Sequence, residues 1–95
     1  MSGERAQASF RVRRELGIHA RPAGQFVSIA GRFDCEIEVG RDGEWVSGNS
    51  VLSILSLAAT QNTVLTVRAV GLDAEAAVAQ LGQLIEAPND DPVPA

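Results

Sequence analysis

The sequence predicts an α+β fold in which a four-stranded sheet carries three helices on one face. Some segments alternate between polar and apolar residues, as half-buried strands do. Others repeat apolar residues every three or four positions, as amphipathic helices do. The order along the chain is β-α-β-β-α-β-α. Because each element has one apolar face, placing the helices on one side of the sheet buries these faces together.

Four segments predict the strands. Residues 8–14 alternate between polar and apolar side chains, and residues 35–39 alternate cleanly. The turn at 40–43 contains an Asp-Gly pair, which favours a hairpin that returns through residues 44–47. Residues 63–70, TVLTVRAV, predict the fourth strand.

Three segments predict the helices. The first is predicted over residues 22–33 and begins at a proline, which is tolerated in a first helical turn. A short helix is predicted over residues 51–57. The last helix follows Asp73, a predicted N-cap, and has Glu75 in its first turn. The residues predicted to face the core are Phe26, Val27, Ile29, Ala30 and Phe33 in the first helix, and Ala77, Val78, Leu81, Leu84 and Ile85 in the last.

Size and charge narrow the function classes. The 95 residues suffice for one domain with a modest core, and the net charge of −4 disfavours a nucleic-acid-binding protein. No apolar run is long enough to cross a membrane, and the first residues lack the apolar region of a signal peptide. The single cysteine, Cys35, cannot form an internal disulfide, which agrees with a reducing cytoplasm. Because it lies in a predicted strand, we expect its side chain to pack in the core. We expect one domain over residues 1–87 and a flexible, acidic, proline-rich tail over residues 88–95.

The only histidine, His19, lies just before the first predicted helix. A histidine there can be a cap or an ordinary surface residue. It can also be a nucleophile beside an anion site, because unpaired N–H groups and the positive end of the helix dipole favour anions. Arg21 adds a permanent cation that can bind phosphate oxygens in a bidentate manner. The residues alone leave both roles open.

Two segments resemble the signatures of one family. Residues 17–23, GIHARPA, resemble the active-site signature of the HPr family, the histidine-containing phosphocarriers of the bacterial phosphoenolpyruvate-dependent sugar phosphotransferase system. Residues 49–57, NSVLSILSL, are similar to the segment around the regulatory serine of that family. The resemblance covers residues 9–86. Two signatures in the right order and at the right separation are more specific than either alone.

The resemblance implies an open-faced β-sandwich with an antiparallel sheet, and it implies roles for two residues. His19 would accept a phosphoryl group on Nδ1 from enzyme I, which phosphoenolpyruvate charges, and pass it to enzyme IIA-type acceptors. Arg21 would stabilise the added charge. Such a protein is a transfer intermediate rather than a stand-alone enzyme. We expect it to be a monomer that needs no cofactor and no metal ion.

The second signature implies a regulatory and a docking site. In some bacteria the serine that matches Ser50 is phosphorylated by an ATP-dependent HPr kinase/phosphorylase, and a dianion there would repel an acidic partner. Ser50 is also expected to cap the short helix. Val51, Leu52 and Leu55 would form an exposed apolar patch that docks partners. The alternative is that the short helix buries all three.

Two departures from the family concern the partner and the first helix. The chain contains no lysine, whereas many of these carriers place lysines around the site, so Arg21 and Arg32 would supply most of the local positive charge. Gly24 stands where the family usually has Ala or Thr. Two alternatives therefore remain: a carrier of a nitrogen-related or dihydroxyacetone kinase branch, and a regulatory protein-binding module. The intact His19 argues against the second.

Overall fold

The computed structural model describes residues 4–89, and these contain four strands and three helices in the predicted order. The strands form one antiparallel sheet in the order β1-β4-β2-β3. This arrangement confirms the predicted α+β open-faced sandwich. The elements are β1 (Glu4–Arg11), α1 (Ala20–Ala30), β2 (Cys35–Arg41), β3 (Glu44–Ser47), α2 (Val51–Ser56), β4 (Val64–Gly71) and α3 (Ala74–Glu86).

The core lies between the helices and one face of the sheet. Val39 of β2 and Val67 of β4 are register partners, and both are fully buried. They belong to one hydrophobic cluster with Phe26 of α1 and Leu81 of α3. The predicted core residues of α3 are all buried. In α1 three of the predicted residues are buried (Phe26, Ile29 and Ala30), and Val27 and Phe33 are partly buried against the same cluster.

The opposite face of the sheet is largely polar, with Val64 and Val70 of β4 as exposed apolar residues. The hydroxyl groups of Ser9 and Thr66 lie 2.8 Å apart across β1 and β4. Arg68 of β4 forms an ion pair with Glu38 of β2 at 2.8 Å, and its guanidinium lies 3.6 Å from the centre of the Trp45 ring. This asymmetry agrees with the alternating pattern of the strands, in which one face packs on the core and the other meets water.

The predicted hairpin joins β2 and β3. Arg41 and Glu44 are the last paired residues, and the two residues between them have left-handed backbones, with φ of 52° at Asp42 and 85° at Gly43. Two left-handed residues in a two-residue loop are characteristic of a type I′ turn. Because the turn uses only Asp42 and Gly43, β2 extends to Arg41, two residues beyond the predicted strand.

The predicted strand at residues 8–14 lies too far along the chain, because β1 begins at Glu4 and ends at Arg11. Its inward residues include Ala6 and Ala8, whose small side chains make the start of the alternation weak. After the strand, the N–H of Val12 still donates to the carbonyl of Thr63 at 2.8 Å. The backbone then leaves the sheet and turns toward α1.

The first helix occupies Ala20–Ala30 rather than the predicted 22–33. Its N-cap is His19, so Pro22 occupies the third helical position, which is still within the first turn where proline is tolerated. At the other end the N–H of Phe33 donates to the carbonyl of Ala30 at 3.2 Å. This tighter, non-helical turn carries the apolar repeat beyond the end of the helix.

The structure contradicts the predicted cap of the last helix. Asp73 occupies the N-cap position, but its backbone is left-handed (φ 60°) and its side chain makes no capping hydrogen bond. Capping normally requires an extended N-cap backbone. Glu75 does lie in the first turn.

Most of the predicted tail, residues 90–95, lies outside the described residues. No helix within residues 4–89 is long and apolar enough to span a bilayer.

Replacing Gly24 with alanine is expected to stabilise the protein. Gly24 lies inside α1, and a Cβ added there would meet no atom within 4 Å. The change should therefore raise the free energy of unfolding by up to about 1 kcal/mol, because alanine has the higher helix propensity. Thermal unfolding by circular dichroism should show a Tm about 4–8 °C higher. An unchanged or lower Tm would contradict the placement of Gly24 inside α1 with open space at its Cβ position.

Candidate functional site

His19 lies where the chain enters α1. Its backbone is extended (φ −92°, ψ −169°), and its carbonyl accepts the N–H of Ala23 at 3.0 Å, which closes the first turn of the helix. The imidazole makes no capping hydrogen bond to α1, and the residue is half-buried. The fold thus places an imidazole at the N-terminus of α1 without using it as the helix cap.

The start of α1 favours an anion beside this ring. The N–H groups of the N-cap and of Ala20 and Arg21 precede the first intrahelical bond, and Pro22 has no N–H. The first turn contains no acidic residue that would neutralise the positive end of the helix dipole. Arg21 is exposed in this turn. Backbone donors, the dipole and a guanidinium are the groups that bind a phosphoryl group.

The loop before His19 is held against the segment that follows α2. The N–H of Ile18 donates to the carbonyl of Ala59 at 2.9 Å, and the N–H of Gly17 donates to the carbonyl of Arg14 at 3.0 Å. Gly17 has a left-handed backbone (φ 70°), and a Cβ added to it would overlap the carbonyl oxygen of Ala59. Only glycine fits this close approach, so Gly17 sets the path of the chain into His19.

Ser50 caps α2, as predicted. Its backbone is extended (φ −128°, ψ 117°), and its Oγ accepts the N–H of Ser53 at 3.2 Å. The residue is half-buried. The hydroxyl therefore has a structural role whether or not it is also modified.

The two sides of α2 differ in exposure. Ile54 and the C-cap Leu57 are buried, whereas the side chain of Leu52 is 80% exposed. Val51 and Leu55 are half-buried. The helix therefore does not bury all three predicted docking residues, and Leu52 presents a large apolar surface to solvent.

The fold brings the two signature segments together. α1 packs against α2, and the hydrogen bond from Ile18 to Ala59 joins the His19 loop to the residues just after α2. Ser50 lies at the other end of this six-residue helix, about 9 Å along its axis. Val51, Leu52 and Leu55 therefore lie on α2, between Ser50 and the contact with the His19 loop.

Comparison with known proteins decides the family. The family model described as PTS HPr component phosphorylation site matches residues 6–87. This chain belongs to the HPr family. The phosphocarrier protein HPr of Haemophilus influenzae is 45% identical over 69 residues, which cover 73% of this chain and 81% of that protein. The corresponding protein of Pseudomonas aeruginosa is 40% identical over 72 residues, covering 75% of this chain and 80% of that protein.

A solved HPr structure supports the same assignment. The crystal structure of a phosphocarrier protein HPr from Bacillus anthracis matches with a TM-score of 0.82 and 33% identity, over 88% of this chain and 100% of that chain. The predicted family is therefore confirmed. The chain is a phosphoryl carrier of the phosphotransferase system, and these similarities fit that function better than the two alternatives.

Two arginines of this HPr domain have structural roles that the sequence did not indicate. Arg14 is only 2% exposed, and its Nη1 donates to the carbonyl of Leu84 in α3 at 2.6 Å. Arg41 donates from Nη1 to the carbonyls of Leu57 and Ala58, at 2.9 and 2.8 Å. In the sequence Arg14 is next to another arginine and Arg41 lies in the predicted turn at 40–43, and both patterns are typical of solvated charges. Only the tertiary structure distinguishes these two arginines from surface ones.

Cys35 packs against the core, as predicted. It is half-buried, and its Sγ donates to the carbonyl of Leu72 at 2.9 Å. Burial, with the nearby carboxylates of Asp34, Asp73 and Glu4, raises the pKa of the Cys35 thiol. The reactive thiolate is therefore scarce at neutral pH. Among residues 4–89, no group of three or more His, Cys, Asp or Glu side chains could hold a metal ion.

Proposed function

We propose that His19 is the residue that carries the phosphoryl group of this HPr-family protein. The observation that supports this most strongly is the position of His19 at the N-cap of α1, at the positive end of the helix dipole and beside a first turn without acidic residues. The imidazole of His19 is the only one in the chain, so no other histidine could take this role.

The transfer step follows from the chemistry of imidazole. The lone pair of Nδ1 attacks the phosphorus of the donor, a P–N bond forms, and the bond between phosphorus and the donor's own nucleophile breaks. The family resemblance is the reason for choosing Nδ1. Arg21 and the backbone N–H groups at the start of α1 stabilise the negative oxygens during transfer. The P–N bond keeps the group transferable to an acceptor.

We propose enzyme I as the donor and enzyme IIA-type proteins as the acceptors in sugar uptake. The test is to incubate the protein with phosphoenolpyruvate and an enzyme I that charges the Pseudomonas aeruginosa HPr in a parallel reaction. The expected result is a mass gain of one phosphate that acid removes. If the parallel reaction succeeds and this protein gains no phosphate, the proposed donor is wrong.

Val51, Leu52 and Leu55 are proposed as the docking surface for these partners. Leu52 supplies most of the exposed apolar area, and the adjacent helix α1 presents Arg21 to a partner that carries carboxylates.

We further propose that the protein acts as a monomer in the cytoplasm, where its lone cysteine would stay reduced.

Ser50 is proposed as a regulatory site for an HPr kinase/phosphorylase, where a phosphate would weaken docking. A mimic tests the electrostatic part. Because Asp and Asn are both good N-caps, Ser50→Asp adds a charge while Ser50→Asn keeps the helix cap without one. We expect Ser50→Asp to raise the half-saturating concentration of phospho-enzyme I about tenfold, since like charges repel across the interface.

The matched Ser50→Asn variant should stay within about twofold of the wild type, since it adds no charge. Both are measured from initial rates of phosphoryl acceptance over a range of phospho-enzyme I concentrations. Equal values for the two variants would show that charge at this position does not control docking.

A further inference from the structure

We propose that Arg41 is a positioning residue that holds the His19 loop in place through the C-terminal end of α2. This inference rests on the proposal that His19 accepts the phosphoryl group. Arg41 is the last residue of β2, and its Nη1 donates to two successive carbonyls, those of Leu57 at 2.9 Å and Ala58 at 2.8 Å. One guanidinium thus links the β2–β3 hairpin to the residues that end α2.

The two carbonyls belong to the peptide units on either side of Ala58. Ala58 has a left-handed backbone (φ 50°), a conformation that residues with a Cβ rarely adopt. The last carbonyls of a helix also lack intrahelical partners and lie at the negative end of its dipole, where a cation is favourable. By binding both peptide units, Arg41 stabilises the turn that alanine would otherwise disfavour.

The next residue connects this turn to the histidine. The carbonyl of Ala59 accepts the N–H of Ile18, which directly precedes His19. The same carbonyl is the atom against which Gly17 packs so closely that no Cβ would fit. A shift of the 58–59 peptide would therefore move the loop that presents the imidazole. The contacts run without a gap from Arg41 through the turn to Ile18.

A direct electrostatic role is the competing explanation, because the side chain of Arg41 is 34% exposed and could attract a partner by its charge. Asp42 lies 3.6 Å from its Nε and offsets part of that charge. The two roles predict different kinetics. A lost charge weakens encounter and raises the half-saturating donor concentration, whereas a displaced imidazole lowers the rate at saturation.

The test measures phosphoryl acceptance from phospho-enzyme I over a range of donor concentrations. It compares the wild type with Arg41→Ala, Arg41→Lys and the double variant Arg41→Ala/Ala58→Gly. We expect Arg41→Ala to lower the saturating rate at least about fivefold, with the half-saturating concentration changed less than about twofold. Ala58→Gly should restore at least half of the lost rate, because glycine adopts the left-handed turn without help. Arg41→Lys should keep a saturating rate between those of the wild type and Arg41→Ala, because a lysine can still donate to a carbonyl. Circular dichroism must show each variant folded at the assay temperature.

Three results would overturn the inference: a wild-type saturating rate in Arg41→Ala, an effect confined to the half-saturating concentration and removed by salt, or no recovery in the double variant. The first would leave Arg41 with a role in stability alone. The second would assign it to partner attraction. If the wild type itself accepts no phosphate while a related HPr does, the proposed function fails first, and the inference fails with it.

Discussion

Replacing His19 with alanine is expected to abolish phosphoryl acceptance. The variant lacks the nucleophile, and the described site has no second imidazole to replace it. The rate of acid-labile phosphate incorporation from phosphoenolpyruvate and enzyme I should fall at least about a thousandfold, to the background of the assay. Incorporation is measured by intact-protein mass spectrometry.

The same variant should remain folded. The imidazole makes no capping hydrogen bond to α1, and the N–H of Ala23 donates to the backbone carbonyl of His19, which the substitution keeps. The free energy of unfolding should therefore change by no more than about 1 kcal/mol. Ser50→Ala is the control that must keep its acid-labile phosphate. Persistent labelling of the His19→Ala variant would place the phosphoryl group on another residue.

Replacing Gly17 with alanine is expected to have the second-largest effect, on both stability and transfer. The new Cβ would force the left-handed backbone into strain and overlap the carbonyl of Ala59, so the loop has to move. We expect a loss of about 2–4 kcal/mol in the free energy of unfolding. A domain with the usual stability of about 5–15 kcal/mol stays folded after such a loss. In the folded variant the displaced imidazole should transfer about 10- to 100-fold more slowly.

Gly43→Ala separates the two causes in this prediction. Gly43 also has a left-handed backbone (φ 85°), but a Cβ there would meet no atom within 4 Å. This variant should lose about 1 kcal/mol of stability and keep its transfer rate within about twofold. Urea unfolding and initial transfer rates check both variants. Equal transfer rates in Gly17→Ala and Gly43→Ala would show that the contact with Ala59 does not position His19.

Much of the fold follows from local patterns in the sequence. The alternation of β2 to β4 and the apolar repeat of α3 predict the sheet and the helical layer, because each element has only one face to bury. Boundaries were less predictable where the pattern is weak. Ala6 and Ala8 contribute little hydrophobic contrast, so the start of β1 was missed. The turn that ends at Phe33 continues the apolar repeat of α1 beyond the last helical residue.

The site was predictable only in part. Two segments shared with a known family indicate His19, Arg21 and Ser50, and the spacing of Leu52 indicates an exposed side chain. The contacts that shape the site join residues far apart in the chain. Arg41 binds the end of α2 sixteen positions later, and Arg14 binds a carbonyl of α3 seventy positions later. No local pattern records such pairings, because they depend on how the finished elements pack.

Nuclear magnetic resonance of the phosphorylated protein shows directly which atom carries the phosphoryl group. The protein is labelled with ¹⁵N and charged with phosphoenolpyruvate and enzyme I, and the coupling between ³¹P and imidazole nitrogens is measured. Because the chain contains a single histidine, any such signal belongs to His19. We expect a one-bond coupling to Nδ1 of His19. A phosphorylated protein without a one-bond coupling to Nδ1 would contradict this assignment.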